Sequence, residues 1–268
     1  MDDEVILSSR QNPRMKYFRS LHDRKTAQRE GVVVVEGVRL CEEAFGSGLV
    51  PLMLVYTINR KALVSEWSER FAFPDRTERI AVSVELMDQA LLTVNPQGVA
   101  AVVVAPKQIG SIPVHGDDLY LVADGISDPG NLGTMIRTAD ALAFSAVILS
   151  EDSVDPFNEK AIRASMGSCF HVPIVRSGSI GEICLIIKRM GVQLIASHLS
   201  GETVETARFR FPAALVIGNE ARGIGEECRR ECDIMVKIPM PGAAESLNAA
   251  SACAILSYIL ARTKAQGS

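Results

Sequence analysis

At 268 residues, 47% of them hydrophobic and 22% charged, the chain is long enough for two domains and apolar enough to bury a sizeable core, which excludes wholesale disorder. Aromatics supply only 5%, so the core is expected to be built from Val, Ile, Leu and Ala, a composition suited to strands buried beneath helices. The net charge of −4 argues against a surface that holds nucleic acid by bulk electrostatics, the acidic start Met1-Asp2-Asp3-Glu4 does not read as a secretory leader, and no apolar run reaches the roughly 18 residues needed to span a bilayer.

The first patterned segment is basic. Between positions 10 and 29, Arg10, Arg14, Lys16, Arg19, Arg24, Lys25 and Arg29 stand against a single acid, Asp23. Such a segment either holds phosphates or is a solvated helix face. Residues 32–35 then read as a buried strand, followed by a helix through Val38, Leu40, Cys41 and Ala44 that stops near Gly46 and Gly48. Residues 52–56 form a second strand, 62–70 a second helix, 80–84 a third strand, 85–92 a helix and 99–105 a fourth strand. Together they make an α/β unit of about a hundred residues. Two prolines and two glycines in 106–117 break both periodicities, so the boundary is placed there, between domains 1–107 and 115–268.

A second alternating series follows. Strands are expected at 119–123, 146–149, 172–175, 193–196, 214–217 and 234–238, with helices at about 132–143, 158–167, 180–190, 222–230 and 247–262. This alternation implies a largely parallel sheet with helices on both faces, and ligands in such sheets sit outside the carboxyl ends of the strands.

Three loops at those ends are rich in Gly, Asn and small polar residues. In the first, residues 124–139, Leu132, Met135, Ile136 and Ala139 share one helical face, and Asn131, Thr134, Arg137 and Thr138 the other. Asn131 is expected to cap this helix, with Arg137 projecting from its polar face. The second, residues 218–225, matches neither the dinucleotide pattern G-x-G-x-x-G nor the phosphate-binding G-x-x-x-x-G-K. Its glycines let backbone approach a ligand, and Glu220 supplies an acceptor. In the third, residues 238–250, two prolines and a glycine force an irregular path before Ser246 opens a helix of small residues. Free backbone groups there suit the edge of a planar base.

Singly, each loop also reads as an ordinary turn. Together, N-x-G-x-x-x-R-T-A from Asn131, I-G-N-E-x-x-G from Ile217 and I-P-M-x-G-x-x-E-S-L-N-A-A from Ile238 resemble the SpoU (TrmH-type) family of SPOUT RNA methyltransferases. Residues 162–168 and 170–173 continue the resemblance, and 35–40 with 95–99 look like the family's substrate-binding domain. Ala221 departs from it, standing where many members have glycine.

The resemblance implies an α/β fold: a parallel-sheet SPOUT domain with a deep trefoil knot, preceded by a small α/β RNA-binding domain. It implies S-adenosylmethionine as methyl donor, in a pocket lined by Gly218, Ile238, Pro239, Met240 and Leu247, with Ser197, His198 and Leu199 as a third wall. The reaction is methylation of a ribose 2′-hydroxyl. Arg137 is the family's catalytic residue, and a guanidinium is a poor general base, so its expected role is to fix the oxyanion while Glu220 or a substrate phosphate takes the proton. Asn131 and Asn248 would position the loops or the ribose, and Ser246 the cofactor loop; no metal is required. Arg14, Lys16, Arg19 and Lys25 become candidate RNA contacts. A homodimer is expected through helix 247–262, whose Ala249, Ala250, Ser251, Ala252 and Ala254 permit close packing.

Rival readings are a transfer RNA methyltransferase in place of a ribosomal RNA one, and an RNA-binding protein of the same fold without catalysis. Ser-His-Asp hydrolysis lacks a G-x-S-x-G elbow, and as acid–base groups His22, His115, His171 and His198 read as structural or peripheral. The six cysteines are scattered without a C-x-x-C pair, as in reduced thiols of a cytoplasmic protein, and no histidine near Cys228 and Cys232 completes a zinc set.

Overall fold

Four consecutive valines followed by Glu36 make the first strand, β1 (Val32–Glu36), and every residue in it is buried. This computed structural model describes residues 5–107, 112, 116 and 118–267, so most of the expected linker 106–117, with His115, lies outside the described residues. The chain divides into two compact units, Met1–Pro106 and Lys107–Ser268.

In the first unit the basic segment folds into two short helices. Helix α1 (Pro13–Ser20) starts on a proline, is capped by the Asn12 side chain and buries Met15 and Phe18. Helix α2 (Arg24–Glu30) is capped by Asp23 and closed by Gly31, whose φ of 65° explains the glycine. Then follow α3 (Val38–Gly46), β2 (Pro51–Thr57), α4 (Lys61–Arg70), β3 (Glu78–Val82), α5 (Val84–Ala90) and β4 (Val99–Val104). The third strand stops short of the expected residue 84 because the Ser83 hydroxyl accepts from Leu86 N–H and starts α5.

The sheet order is β1-β4-β2-β3, with β4 antiparallel to β1 and β2, and β2 parallel to β3. Buried Glu36 accepts from the N–H groups of Leu92 (3.0 Å) and Thr93 (3.3 Å), and Gln97 Oε1 accepts from Val38 N–H at 2.8 Å. Segments 35–40 and 95–99, distant in sequence, are therefore clamped together at one end of this sheet.

The second unit runs β5 (Leu119–Asp124), α6 (Pro129–Ala141), β6 (Ala146–Leu149), α7 (Glu159–Ser165), β7 (Ile174–Arg176), α8 (Ile180–Arg189), β8 (Gln193–Thr203), β9 (Ala213–Gly218), α9 (Glu226–Glu231), β10 (Ile234–Lys237) and α10 (Ala249–Gly267). The sheet order is β10-β8-β9-β5-β6-β7 and every neighbouring pair is parallel. Strand β5 is buried throughout, as a strand covered on both faces must be.

Three expected helix starts move, each for a local reason. Asp128, not Asn131, caps α6: it accepts from Asn131 N–H, and Pro129 occupies the first turn, where a missing N–H costs nothing. Helix α9 begins at Glu226 instead of 222, because residues 219–223 close into a tight turn. Helix α10 begins at Ala249 instead of Ser246, since the Asn248 side chain accepts from Ala250 and Ser251 N–H. Ala249 and Ala250 are buried within their own unit, while Ile255 and Tyr258 are the large apolar residues α10 exposes.

Strand β8 also outruns expectation. Met235 pairs with Ala196, but its neighbour Val236 pairs with Glu202, so residues 197–201 have no partner on β10 and detour from the ladder. Gly201 permits the return, since a Cβ there would lie 2.6 Å from the Met235 and Val236 backbone. All six cysteines are free thiols, five of them buried. Among the described residues no helix is long and apolar enough to cross a membrane.

Candidate active site at the strand ends

Strands β5 and β9 end side by side, Asp124 opposite Gly218, where the strand order reverses and a parallel sheet leaves a crevice. The turn after β9 is so tight that residue 218 must be glycine: a Cβ there would lie 2.2 Å from the Gly223 carbonyl carbon and 2.3 Å from Ile224 N. Asn219 holds it. Its Oδ1 accepts from the N–H groups of Ala221 (2.9 Å) and Arg222 (3.2 Å), and its Nδ2 donates to the Gly125 carbonyl at 2.7 Å. Ala221 has none of the positive φ that would call for glycine, so its methyl group is accommodated.

Two carboxylates fasten this turn to β5 and β6. Asp124 accepts from Gly225 N–H at 2.7 Å, and burial nevertheless raises its pKa. Asp152 accepts from the Ser150 hydroxyl at 2.6 Å and pairs with Arg222 at 2.7 Å; the two partners hold its pKa below the ordinary carboxylate range.

A directed chain of side chains then crosses the site. The Asn248 oxygen is committed to two backbone N–H groups of α10, so its amide nitrogen must point away, and it donates to Asn131 Oδ1 at 3.0 Å. Asn131 is thereby oriented with its nitrogen toward Glu220, donating to Oε1 at 2.5 Å. Glu220 Oε1 is the acceptor that ends the chain. One residue from each of the three loops is thus tied into a single row.

Between the 218–223 turn, residues 197–199 of β8 and the chain after β10 lies a cavity of about 360 Å³. Ser197, His198, Leu199, Gly218, Ile238, Met240 and Leu247 line it, together with Glu220 and Ser246. Pro239 does not line it and is solvent-exposed between two residues that do. Asn131 and Asn248 reach it only through Glu220. Leu199 and Leu247 are 61% and 38% exposed, so the cavity presents apolar side chains that a flat ring would cover.

Arg137 stands apart. It is exposed on α6, does not line the cavity, and forms no ion pair or hydrogen bond among the described residues. In the other unit Arg14, Lys16, Arg19 and Lys25 are all exposed, with Arg14 paired to Glu78 at 2.7 Å. His22 and His171 lie beside Glu36 and Asp140, and neither lines the cavity. Sequence reasoning missed Arg222, Arg229 and Lys237 on the cavity wall. Arg222 occupies a variable position inside the I-G-N-E-x-x-G motif and Lys237 directly precedes the motif from Ile238, so both could have been found from the motifs; Arg229 belongs to neither.

The family model described as SpoU rRNA Methylase family matches residues 118–258, and that described as MRM3-like substrate binding domain matches residues 12–101. The chain is 33% identical to 23S rRNA (guanosine(2553)-2′-O)-methyltransferase RlmP of Bacillus subtilis (strain 168), covering 95% of this chain and 98% of that one. It is 34% identical to 23S rRNA (uridine(2479)-2′-O)-methyltransferase of Streptomyces viridochromogenes, covering 96% and 92%. In fold it is similar to an AdoMet-bound rRNA methyltransferase from Sinorhizobium meliloti, with a TM-score of 0.85 at 31% identity over 97% and 98% of the two chains.

Proposed function

The chain belongs to the SpoU rRNA methylase family, and from that premise we propose that it methylates a ribose 2′-hydroxyl of ribosomal RNA, with S-adenosylmethionine as methyl donor. The observation that carries the reading is the row Asn248–Asn131–Glu220, which ends in a fixed acceptor carboxylate on the wall of a nucleoside-sized cavity.

The residues present suit this donor. Leu199, Ile238, Met240 and Leu247 offer apolar surface to a purine, and the loops beside them offer backbone groups to its edge. Bound S-adenosylmethionine supplies a methyl group activated by its sulfonium. A ribose hydroxyl is a weak nucleophile until its proton is removed or its oxyanion stabilised. Glu220 takes that proton, directly or by way of a substrate phosphate. Asn131 keeps the carboxylate aimed, and Asn248 keeps Asn131 aimed. Arg137 is assigned to the developing alkoxide by the family motif alone, since it does not line the cavity; a planar guanidinium suits an oxyanion by its fork of N–H donors. Ser246 supports the loop that carries Leu247.

The front unit, matched by a substrate-binding family model, grips the RNA, with Lys16, Arg19 and Lys25 as exposed cations and Arg14 shared with Glu78. A homodimer forms through α10, where Ile255 and Tyr258 stand exposed. Incubating the chain with labelled S-adenosylmethionine and bulk ribosomal or transfer RNA, then digesting to nucleosides, tests the proposal. Label in 2′-O-methylnucleosides from ribosomal RNA supports it; label confined to bases or to transfer RNA, or no label, refutes it.

A further inference from the structure

The cavity carries more positive charge than a sulfonium ligand explains. Arg222, Arg229 and Lys237 line it, and Glu220 is the acid on its wall. Arg222 is neutralised by Asp152, and Asn131 is a neutral partner for Glu220, which leaves Arg229 and Lys237 against one acid. Arg229 forms no ion pair among the described residues, although Glu226, Glu227 and Glu231 share its helix. Free cations around a cationic ligand repel it unless they face an anion, and the methionine carboxylate is the only anion that S-adenosylmethionine has.

His198 sharpens the location. Its Nδ1 lies 2.7 Å from the Ser200 hydroxyl and accepts from Ser200 N–H at 3.2 Å. A backbone N–H can only donate, so Nδ1 keeps its lone pair and the ring proton sits on Nε2. Burial, and next the charge of Arg229, lower the pKa of His198, so the ring is held in this neutral form. The 197–201 detour of β8 thus brings an Nε2–H donor to a cavity wall shared with an unpaired guanidinium.

We infer that Arg229, with His198 beside it, forms the carboxylate-binding end of the methyl-donor pocket. A planar guanidinium presents two parallel N–H donors to a carboxylate, which the point charge of Lys237 does not. The inference rests on the methyl-donor reading given above. It places cofactor recognition partly on α9, outside the three loops.

Calorimetry on the full chain tests it with two ligands, S-adenosylhomocysteine and S-adenosyl-3-thiopropylamine, which lacks only the carboxylate. Arg229→Gln weakens S-adenosylhomocysteine on the order of 10- to 100-fold, the scale of a lost hydrogen bond to a charged group, and leaves the decarboxylated ligand within about threefold. Arg229→Lys, a second variant that keeps the charge, recovers only part of the loss. Equal weakening of both ligands, no weakening of either, or a carboxylate-selective loss in Lys237→Gln alone overturns the assignment. If the wild-type chain binds neither ligand, the methyl-donor reading falls, and this inference with it.

Discussion

The amide nitrogen of Asn131 donates to Glu220 Oε1 at 2.5 Å, joining α6 to the turn after β9 across 89 positions of sequence. Because Asn248 occupies the Asn131 oxygen, the amide cannot flip, and the carboxylate is the end of a one-way chain. Asn131→Asp removes the donor and sets a second carboxylate against the first. Methyl transfer under single-turnover conditions should fall by about 10- to 100-fold, the cost of a charge-assisted hydrogen bond. Affinity for S-adenosylhomocysteine should hold within about twofold, because Asn131 is not on the cavity wall. A variant with normal turnover would show that the row merely braces the loops.

Arg137 contributes, on this account, only where charge develops on the attacking oxygen. Arg137→Ala should leave cofactor affinity unchanged and slow methylation by roughly a hundredfold or more, as when one oxyanion donor is lost. Arg137→Lys should recover little, since an ammonium lacks the planar fork. Near-normal single-turnover rates in Arg137→Ala would reduce it to a surface arginine.

The basic helices of the front unit are testable through salt. Replacing Lys16, Arg19 and Lys25 with Ala should weaken RNA binding and flatten its salt dependence, each lost phosphate contact lowering the log–log slope by roughly 0.7–0.9. Arg14→Ala alone should move the slope less, because Glu78 already neutralises much of that charge. An unchanged slope in the triple variant returns α1 and α2 to the role of solvated faces.

Asp152 yields a prediction in pH. The Ser150 hydroxyl and then Arg222 hold its pKa below the reference value of 3.8 in the folded chain. A depressed folded pKa contributes stability that is present above the unfolded value and lost as pH falls through the folded one. Asp152→Asn should therefore lower Tm near neutral pH, with the gap from wild type closing below about pH 4. The pair is largely exposed, so the gap is small and shrinks in salt. A gap independent of pH would exclude the ion pair as its cause.

The parallel sheet and its three loops were legible because buried strands leave apolar runs and their ends collect Gly, Asn and Pro. Glycine at 218 and the acceptor Glu220 could be read in the same way, from residue types that a turn and a site require. The cap of α6 was legible in principle from Asp128-Pro129, but the apolar face, first visible at Leu132, drew the helix start inward. Strand direction in the front unit was not, since Val and Ala bury equally well in parallel and antiparallel pairs. The detour at 197–201 and the approach of Arg229 are tertiary: no local pattern marks a five-residue excursion, and an arginine on a short polar helix looks like any solvated cation. A knot is a property of chain path and leaves no mark on residue spacing, so its expectation rests on the resemblance alone.

The central claim is that this chain places a methyl group on one class of oxygen in one class of RNA. The most direct measurement maps 2′-O-methyl riboses, by their resistance to alkaline cleavage, in ribosomal RNA from cells with the protein, without it, and carrying only Glu220→Gln. The account predicts a protected ribose present with the wild-type chain, absent without it, and not restored by Glu220→Gln. Identical maps in all three strains would contradict it.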